Sequence, residues 1–111
     1  ARMITLDAAL ERGIPDVLAE VVAGVGDKPL YVSLDIDMVD PAFAPGTGTP
    51  EPGGFTSHQA LQLVRGLKGL RIIGADLVEV APAYDPAQIT AILGANLVFE
   101  ILSLMALAKG R

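Results

Sequence analysis

The sequence predicts an α/β domain in which helices surround a parallel sheet. Its 111 residues are 51% hydrophobic and 19% charged, a balance typical of one compact domain and not of a disordered tail. The predicted elements follow the order helix, strand, long loop, helix, strand and helix, which favours parallel strands joined by helical crossovers. The two strands are residues 29–38 and 71–82, and each is apolar on at least one face.

The overall charge and the cysteine count exclude several classes of function. A formal net charge of −5 provides no basic surface for nucleic acid or anionic lipid, whereas it suits a small cationic ligand. The absence of cysteine excludes disulfides and thiolate metal sites, so any metal must bind to oxygen or to His58. The chain begins without methionine, which indicates a processed chain or a fragment, and it lacks the apolar core of a signal peptide, which favours the cytoplasm.

Residues 1–28 contain the signals of two short helices. Thr5 or Asp7 can cap the first helix, and Gly13 provides the turn that ends it. Pro15 suits the first turn of the second helix, whose apolar residues recur at helical spacing until glycines 24 and 26 end it.

The first strand, residues 29–38, is the clearest element because apolar and polar residues alternate strictly along it. One face is apolar, and the other carries Tyr31, Ser33, Asp35 and Asp37. The loop from residue 41 to residue 54 holds four prolines and four glycines, which exclude regular structure. The next helix is predicted to run from residue 57 to Lys68, because Thr56 and Gln59 form a capping-box pattern.

The second strand and the last helix are both apolar. Residues 71–82 contain few polar side chains, which predicts a strand covered on both faces. Asp85 and Pro86 provide the cap and first turn of the last helix. Residues 89–108 have the length of a membrane span, but Asn96 and Glu100 lie near the middle and no Trp or Tyr anchors either end. A buried terminal helix is therefore favoured over a membrane span.

Asp35 and Asp37 are the candidate metal ligands. Two residues apart on one strand, their carboxylates would project from the same face about 6 to 7 Å apart. Two such charges repel each other by roughly 3 kcal/mol at an effective dielectric constant of about 20, so they need a cation or a proton. The carboxyl end of a parallel strand is where open α/β sheets bind ligands, and Mn²⁺ or Mg²⁺ suits oxygen donors.

These acids also fit alternatives that involve no pair of metal ions. Both aspartates can face water on an edge strand, and Asp40 before Pro41 is typical of a turn. A calcium loop starting at Asp35 is excluded because its sixth residue would be Asp40 and its twelfth would be Gly46. The "DID" sequence also resembles the motif of haloacid-dehalogenase-type phosphatases, with Asp35 as nucleophile and Asp37 as acid, but that interpretation leaves the following loop without a role.

The segment "SLDIDMVDPAFAPGTGTPEPGG", residues 33–54, resembles the last signature motif of the ureohydrolase family, which includes arginase and agmatinase. The wording "APGTGTPEPGG" is similar to the agmatinase branch, and "GADLVEVAP", residues 74–82, resembles the second-strand motif with its glutamate. The resemblance implies a three-layer α/β/α sandwich with a mainly parallel sheet. It also implies assembly into a homo-oligomer, a trimer or a hexamer.

The resemblance also implies a reaction and roles for individual residues. The family hydrolyses guanidino compounds to urea and an amine at a pair of Mn²⁺ ions. By likeness, Asp35 would bridge the two ions and Asp37 would bind one of them. Glu79 would hold the small cationic guanidino substrate, and Thr49 would help to shape its pocket.

The chain also departs from the family pattern. Family members are roughly three times as long, and their other metal ligands, two histidines and further aspartates, lie in upstream motifs that are missing here. The single histidine, His58, is predicted to be an exposed residue at a helix start. Residues 1–111 are therefore expected to be one partial domain, the C-terminal segment of such an enzyme, and inactive alone. The alternative is a non-catalytic structural or assembly module of the same fold.

Overall fold

The structure is a computed structural model that describes residues 1–109. The helices are α1 (Leu6–Arg12), α2 (Ile14–Val25), α3 (Ser57–Arg65) and α4 (Ile89–Lys109), and the strands are β1 (Leu30–Asp35) and β2 (Ile72–Val78). Short 3₁₀ helices follow β1 at Ile36–Met38 and precede α4 at Pro82–Tyr84 and Pro86–Gln88.

The helix starts follow the local signals in the sequence. The Thr5 hydroxyl accepts a hydrogen bond from the Ala8 N–H at 3.2 Å, so Thr5 is the cap of α1. Gly13 joins α1 to α2 with a φ of 89°, a conformation that glycine adopts without steric penalty. At the start of α3, Thr56 and Gln59 exchange both hydrogen bonds of a capping box, as predicted.

The two strands form a parallel pair. Their register joins Leu30 to Ile72 at one end and Asp35 to Val78 at the other. The predicted first strand is too long, because β1 ends at Asp35 and the chain turns into a 3₁₀ helix. The Asp35 side chain accepts the Asp37 N–H at 3.0 Å and so caps this turn, which takes Asp37 off the strand.

The helices α3 and α4 pack on one face of the sheet. Val32 on that face is buried with residues of both helices, and Leu77 approaches Gly94 so closely that a Cβ there would stand 2.8 Å from its side chain. We call the opposite face, which carries Tyr31, Ser33, Gly74 and Asp76, the open face. Tyr31 and Val78 on this face are 56% and 40% exposed, so the prediction that β2 is covered on both faces is wrong within residues 1–109. The reason is that α3 and α4 both pack on the same face of the sheet.

The last helix is buried on one side only. Leu93, Leu97 and Ile101 belong to the core, whereas Ile92, Phe99 and Leu102 are exposed. By length and composition this helix, counted from Pro86 to Lys109, is the one helix in the described part of the chain that is apolar enough to cross a membrane. The side of α4 that packs against β2 and α3 is buried, as predicted, whereas the opposite side is exposed.

Candidate metal and substrate site

Three acidic residues lie near the carboxyl end of the sheet. Asp35 and Val78 are register partners at the last position of their strands, so Asp37 and Glu79 lie just beyond the same edge. In a parallel sheet both strand ends open onto one side, the usual place for a ligand. The site therefore combines residues that are more than forty positions apart in the sequence.

The surroundings of Asp35 disfavour its negative charge. Burial raises the pKa of Asp35, and the neighbouring carboxylates of Asp37 and Glu79 raise it further, against the opposing hydrogen bond from the Asp37 N–H. A cation between these groups would remove the repulsion and favour the ionised form. The raised pKa fits the predicted need for a cation or a proton at Asp35, although Asp35 and Asp37 are not on one strand.

The loop after β1 touches the candidate metal ligands. The Thr49 hydroxyl donates a hydrogen bond to the Asp37 carboxylate at 2.9 Å. This contact places Thr49 beside a candidate metal ligand, and its predicted part in the substrate pocket stays a prediction. It also fixes one oxygen of Asp37 and leaves its other oxygen for a ligand.

The loop is held in place by contacts with the segment that follows β2. The Ala81 N–H donates to the Gly46 carbonyl at 2.8 Å, and Thr47 forms an isolated antiparallel bridge with Val80. A Cβ at Gly46 would stand 2.5 Å from the Asp85 Cβ, so only glycine fits there. These contacts fix the loop against the residues that directly follow Glu79.

Asp40 serves the loop and not the metal site. Its two carboxylate oxygens accept the backbone N–H groups of Ala42 and Gly53, each at 2.8 Å. These hydrogen bonds hold the pKa of Asp40 below its usual range. Asp40 thus ties the start of the loop to its end, in agreement with its prediction as a turn residue.

Glu79 has an unusual backbone conformation. It is exposed, it directly follows β2, and its φ of 72° lies in the left-handed region that residues with a Cβ rarely adopt. Such strain persists only where the surrounding structure imposes it, and it is frequent at functional sites. The sequence motif identified Glu79, but no local signal predicted this conformation.

The acids near this edge of the sheet do not form a metal-binding group of three by themselves, and no other side chain in residues 1–109 completes one. Within residues 1–109 no group of three or more histidine, cysteine, aspartate or glutamate side chains is arranged to hold a metal ion. His58 is exposed in the first turn of α3, as predicted, and lies outside the acidic site. Asp35 and Asp37 are hard oxygen donors that fit Mn²⁺, but two carboxylates cannot complete the coordination of two ions.

Sequence reasoning missed Thr47. Its side chain is 3% exposed, and its hydroxyl has no hydrogen-bond partner among the residues that the structure describes. A buried hydroxyl without a partner is uncommon in proteins. The repeated Gly-Thr pairs in "GTGT" were the available signal, but the pattern does not distinguish the bonded threonine from the unbonded one.

Comparison with known proteins identifies the family. The sequence model of the arginase family matches residues 1–103. The chain belongs to the arginase family. An agmatinase of Salmonella paratyphi B is 58% identical over 100 residues, which are 90% of this chain and 33% of that protein. This membership removes the haloacid-dehalogenase alternative.

Solved structures of the arginase family share the fold of this chain. The proclavaminate amidino hydrolase of Streptomyces clavuligerus superposes with a TM-score of 0.94 and 45% identity, over 97% of this chain and 37% of that one. A hypothetical agmatinase of Burkholderia thailandensis gives a TM-score of 0.86 and 52% identity, over 89% of this chain and 31% of that one. The predicted arginase-like α/β fold is confirmed, and the chain spans about one third of the length of these relatives.

Proposed function

We propose that this chain forms part of the active site of a metal-dependent amidinohydrolase that acts on an agmatine-like guanidino compound. The observation that carries the proposal is the placing of Asp35, Asp37 and Glu79 near one sheet edge, where burial and the other two carboxylates raise the pKa of Asp35. Among residues 1–109 no basic side chain forms an ion pair with these three carboxylates, and such a site suits cations, both metal ions and a guanidinium group.

Asp35 and Asp37 are the residues that would hold Mn²⁺. By family likeness, Asp35 and Asp37 would together hold the ions, and the Thr49 hydroxyl fixes one oxygen of the Asp37 carboxylate. When bound, such ions polarise the reacting group and lower the pKa of a water molecule. The remaining ligands must come from outside residues 1–109, so the separate chain is expected to be inactive.

Glu79 is the residue that would receive the substrate. A carboxylate accepts two parallel hydrogen bonds from a guanidinium group, which fixes the plane of the group as well as its position. In the overall reaction the oxygen of water becomes the carbonyl oxygen of urea, the C–N bond to the substituted nitrogen breaks, and that nitrogen leaves as a protonated amine. Glu79 takes part by orienting the cation and not by forming a bond.

A non-catalytic module of the same fold is the second candidate. It is favoured by the absence of a three-ligand metal group in residues 1–109 and by the exposed apolar side of α4. Such a module would use that side to assemble with another subunit. The trimeric or hexameric state belongs to the first proposal, which takes it from the family resemblance, and a cytoplasmic location is proposed with it.

The proposed function can be tested in a chimera. The chimera is the Salmonella agmatinase in which this chain replaces the matching 100-residue segment. Urea release from agmatine and Mn²⁺ binding by calorimetry are measured for Asp35→Asn, with Asp27→Asn in an exposed turn as the matched control. We expect Asp35→Asn to remove nearly all activity and to weaken Mn²⁺ binding. An Asp35→Asn chimera with wild-type activity would exclude the proposed role of Asp35. Tight Mn²⁺ binding by the separate chain would contradict the proposal that this chain alone lacks a complete metal site.

A further inference from the structure

The loop after β1 is joined to the last helix at Gly46. The Thr90 hydroxyl, in the first turn of α4, accepts a hydrogen bond from the Gly46 N–H at 2.7 Å. The Gly46 carbonyl in turn accepts the Ala81 N–H at 2.8 Å. The buried backbone of Gly46 is therefore held between α4 and the segment that follows Glu79.

Thr90 is itself fixed at the start of α4. It is completely buried, and its N–H donates to the Asp85 carboxylate at 2.8 Å. Burial alone would raise the pKa of Asp85, but hydrogen bonds from the N–H groups of Thr90 and Ala91 and from the Thr90 side chain hold it below its usual value. The Thr90 hydroxyl thus accepts from Gly46 and donates to Asp85, which uses both of its bonding roles.

The loop and the helix start approach each other closely. A Cβ at Gly46 would stand 2.9 Å from the Thr90 hydroxyl oxygen, so the loop backbone lies directly on that hydroxyl. Further along α4, Leu93 and Leu97 belong to the hydrophobic core. The contact at Thr90 therefore ties the loop to a helix that the core holds in place.

The position of Gly46 also determines the position of Thr49. Only two residues separate them, and the Thr49 hydroxyl donates to the Asp37 carboxylate at 2.9 Å. Thr49 is exposed whereas Gly46 and Thr47 are buried, so the buried pair is the fixed part of this stretch. Because hydrogen bonds weaken steeply outside a narrow range of distance and angle, a shift of about 1 Å at Gly46 would weaken the contact with Asp37.

We propose that Thr90 is a positioning residue of the candidate metal site, whose hydroxyl fixes Gly46 and thereby holds the Thr49 hydroxyl on the Asp37 carboxylate. Thr90 acts through Thr49 and not by binding the metal. The inference rests on the proposed function, because it takes Asp37 as a ligand of Mn²⁺.

The test is a double-mutant cycle in the chimera with the Salmonella agmatinase. The variants are Thr90→Ala, Thr49→Val and the combination of the two, with Thr90→Ser as the rescue that keeps the hydroxyl. Ile101→Val is the matched control, because it removes a buried methyl group about three turns further along the same helix. Circular dichroism shows which variants fold, and Thr90→Val, which keeps the shape of the side chain, replaces Thr90→Ala if the latter does not.

Two measurements on the metal-free chimera do not depend on its activity. Mn²⁺ affinity is measured by calorimetry, and amide hydrogen exchange of residues 42–54 is measured by mass spectrometry of peptides. Thr90→Ala should lower Mn²⁺ affinity about threefold to tenfold and speed up exchange in this loop, since one hydrogen bond is lost. Thr90→Ser and Ile101→Val should stay within about twofold of wild type. The double variant should lose no more affinity than Thr49→Val alone, because both changes break the same link.

Three results would overturn the proposal. The first is unchanged Mn²⁺ affinity or unchanged loop exchange in Thr90→Ala. The second is a double variant in which the two losses add, because Thr90 would then act on the site by another route. The third is an Ile101→Val control that loses as much affinity as Thr90→Ala. A wild-type chimera that binds Mn²⁺ but releases no urea contradicts the proposed function alone.

Discussion

The hydroxyl of Thr49 donates a hydrogen bond of 2.9 Å to the carboxylate of Asp37, whereas the hydroxyl of Thr47 is buried without a partner in residues 1–109. The two threonines belong to the same loop and are two positions apart. One of them therefore links the loop to a candidate metal ligand, and the other leaves a polar group unsatisfied. Valine substitutions at the two positions can therefore be compared directly.

We expect Thr49→Val to weaken Mn²⁺ binding and Thr47→Val to stabilise the fold. Thr49→Val removes the donor that fixes Asp37, and hydrogen bonds to charged groups are strong enough for about a tenfold loss of Mn²⁺ affinity in the chimera. Thr47→Val removes an unsatisfied hydroxyl, so the free energy of unfolding should rise by up to about 1 kcal/mol. The measurements are Mn²⁺ titration and urea denaturation of both variants. Equal Mn²⁺ affinity in Thr49→Val and wild type would remove Thr49 from the site.

The left-handed backbone of Glu79 gives a second prediction. Glu79→Gly relieves a conformation that costs a residue with a Cβ roughly 1 to 2 kcal/mol, so the chain should become more stable by about 1 kcal/mol. Glu79→Gln keeps both the strain and the shape of the side chain, and its stability should equal that of wild type. Both variants lose the carboxylate, so both should raise the KM for agmatine in the chimera.

Urea denaturation and steady-state kinetics check this pair of variants. A Glu79→Gly chain that is less stable than Glu79→Gln would show that the backbone at this position is not strained. An unchanged KM in both variants would show that Glu79 does not bind the substrate. The backbone strain at Glu79 would still be tested by the stability measurements.

Local chemistry determines which parts of the fold the sequence predicts well. The caps at Thr5 and Thr56 and the turn at Gly13 are recognisable because each depends on residues within about one helical turn. The end of β1 was not recognisable, because the alternation of side chains continues past Asp35 to residue 38. A side-chain hydrogen bond from the Asp37 N–H ends the strand there, and no pattern of apolar residues encodes such a bond.

The candidate site shows the same division between local and tertiary information. The spacing along the first strand predicted Asp35 and Asp37, and the family resemblance added Glu79 and Thr49, but neither predicted the contact between Thr49 and Asp37. The φ of Glu79 and the burial of Thr47 depend on where the loop meets the segment after β2, at Val80. Likewise, the apolar sequence of β2 predicted a strand buried on both faces, whereas in residues 1–109 helices pack on only one face of the sheet.

The raised pKa of Asp35 predicts a pH dependence of stability. Since this pKa is above the unfolded value of about 3.9, the folded chain retains the proton to higher pH than the unfolded chain does. Stability from this group is therefore present at low pH and is lost as the pH rises through the raised pKa. Asp35→Asn should make the metal-free chain more stable at pH 7, and Mn²⁺ affinity of the wild-type chimera should increase with pH over the same interval.

Thermal unfolding of the metal-free chain between pH 3 and pH 7 measures the first effect, and Mn²⁺ titration measures the second. Asp27→Asn is again the control, because Asp27 lies in an exposed turn away from the site. An Asp35→Asn chain that is less stable than wild type at pH 7 would show that the Asp35 carboxylate stabilises the fold without metal.

Asp85 should show the opposite pH dependence. Its carboxylate accepts the N–H groups of Thr90 and Ala91 at 2.8 and 2.9 Å, and so caps α4 across the short turn at Pro86–Gln88. Burial alone would raise the pKa of Asp85, but these hydrogen bonds outweigh it and leave the pKa below its usual value. The stabilisation is therefore present above the unfolded pKa and is lost as the pH falls through the lowered one.

Asp85→Ala should lower the melting temperature at pH 7 by about 4 to 8 °C, the usual effect of losing a helix cap in a small domain. Asp85→Asn keeps an acceptor but not the charge, so its loss should be smaller. Between pH 5 and pH 2 the melting temperature of wild type should fall more steeply than that of either variant, because only wild type protonates this cap. Calorimetric melts of the three chains measure the slopes, and parallel slopes would mean that Asp85 does not hold α4 through its charge.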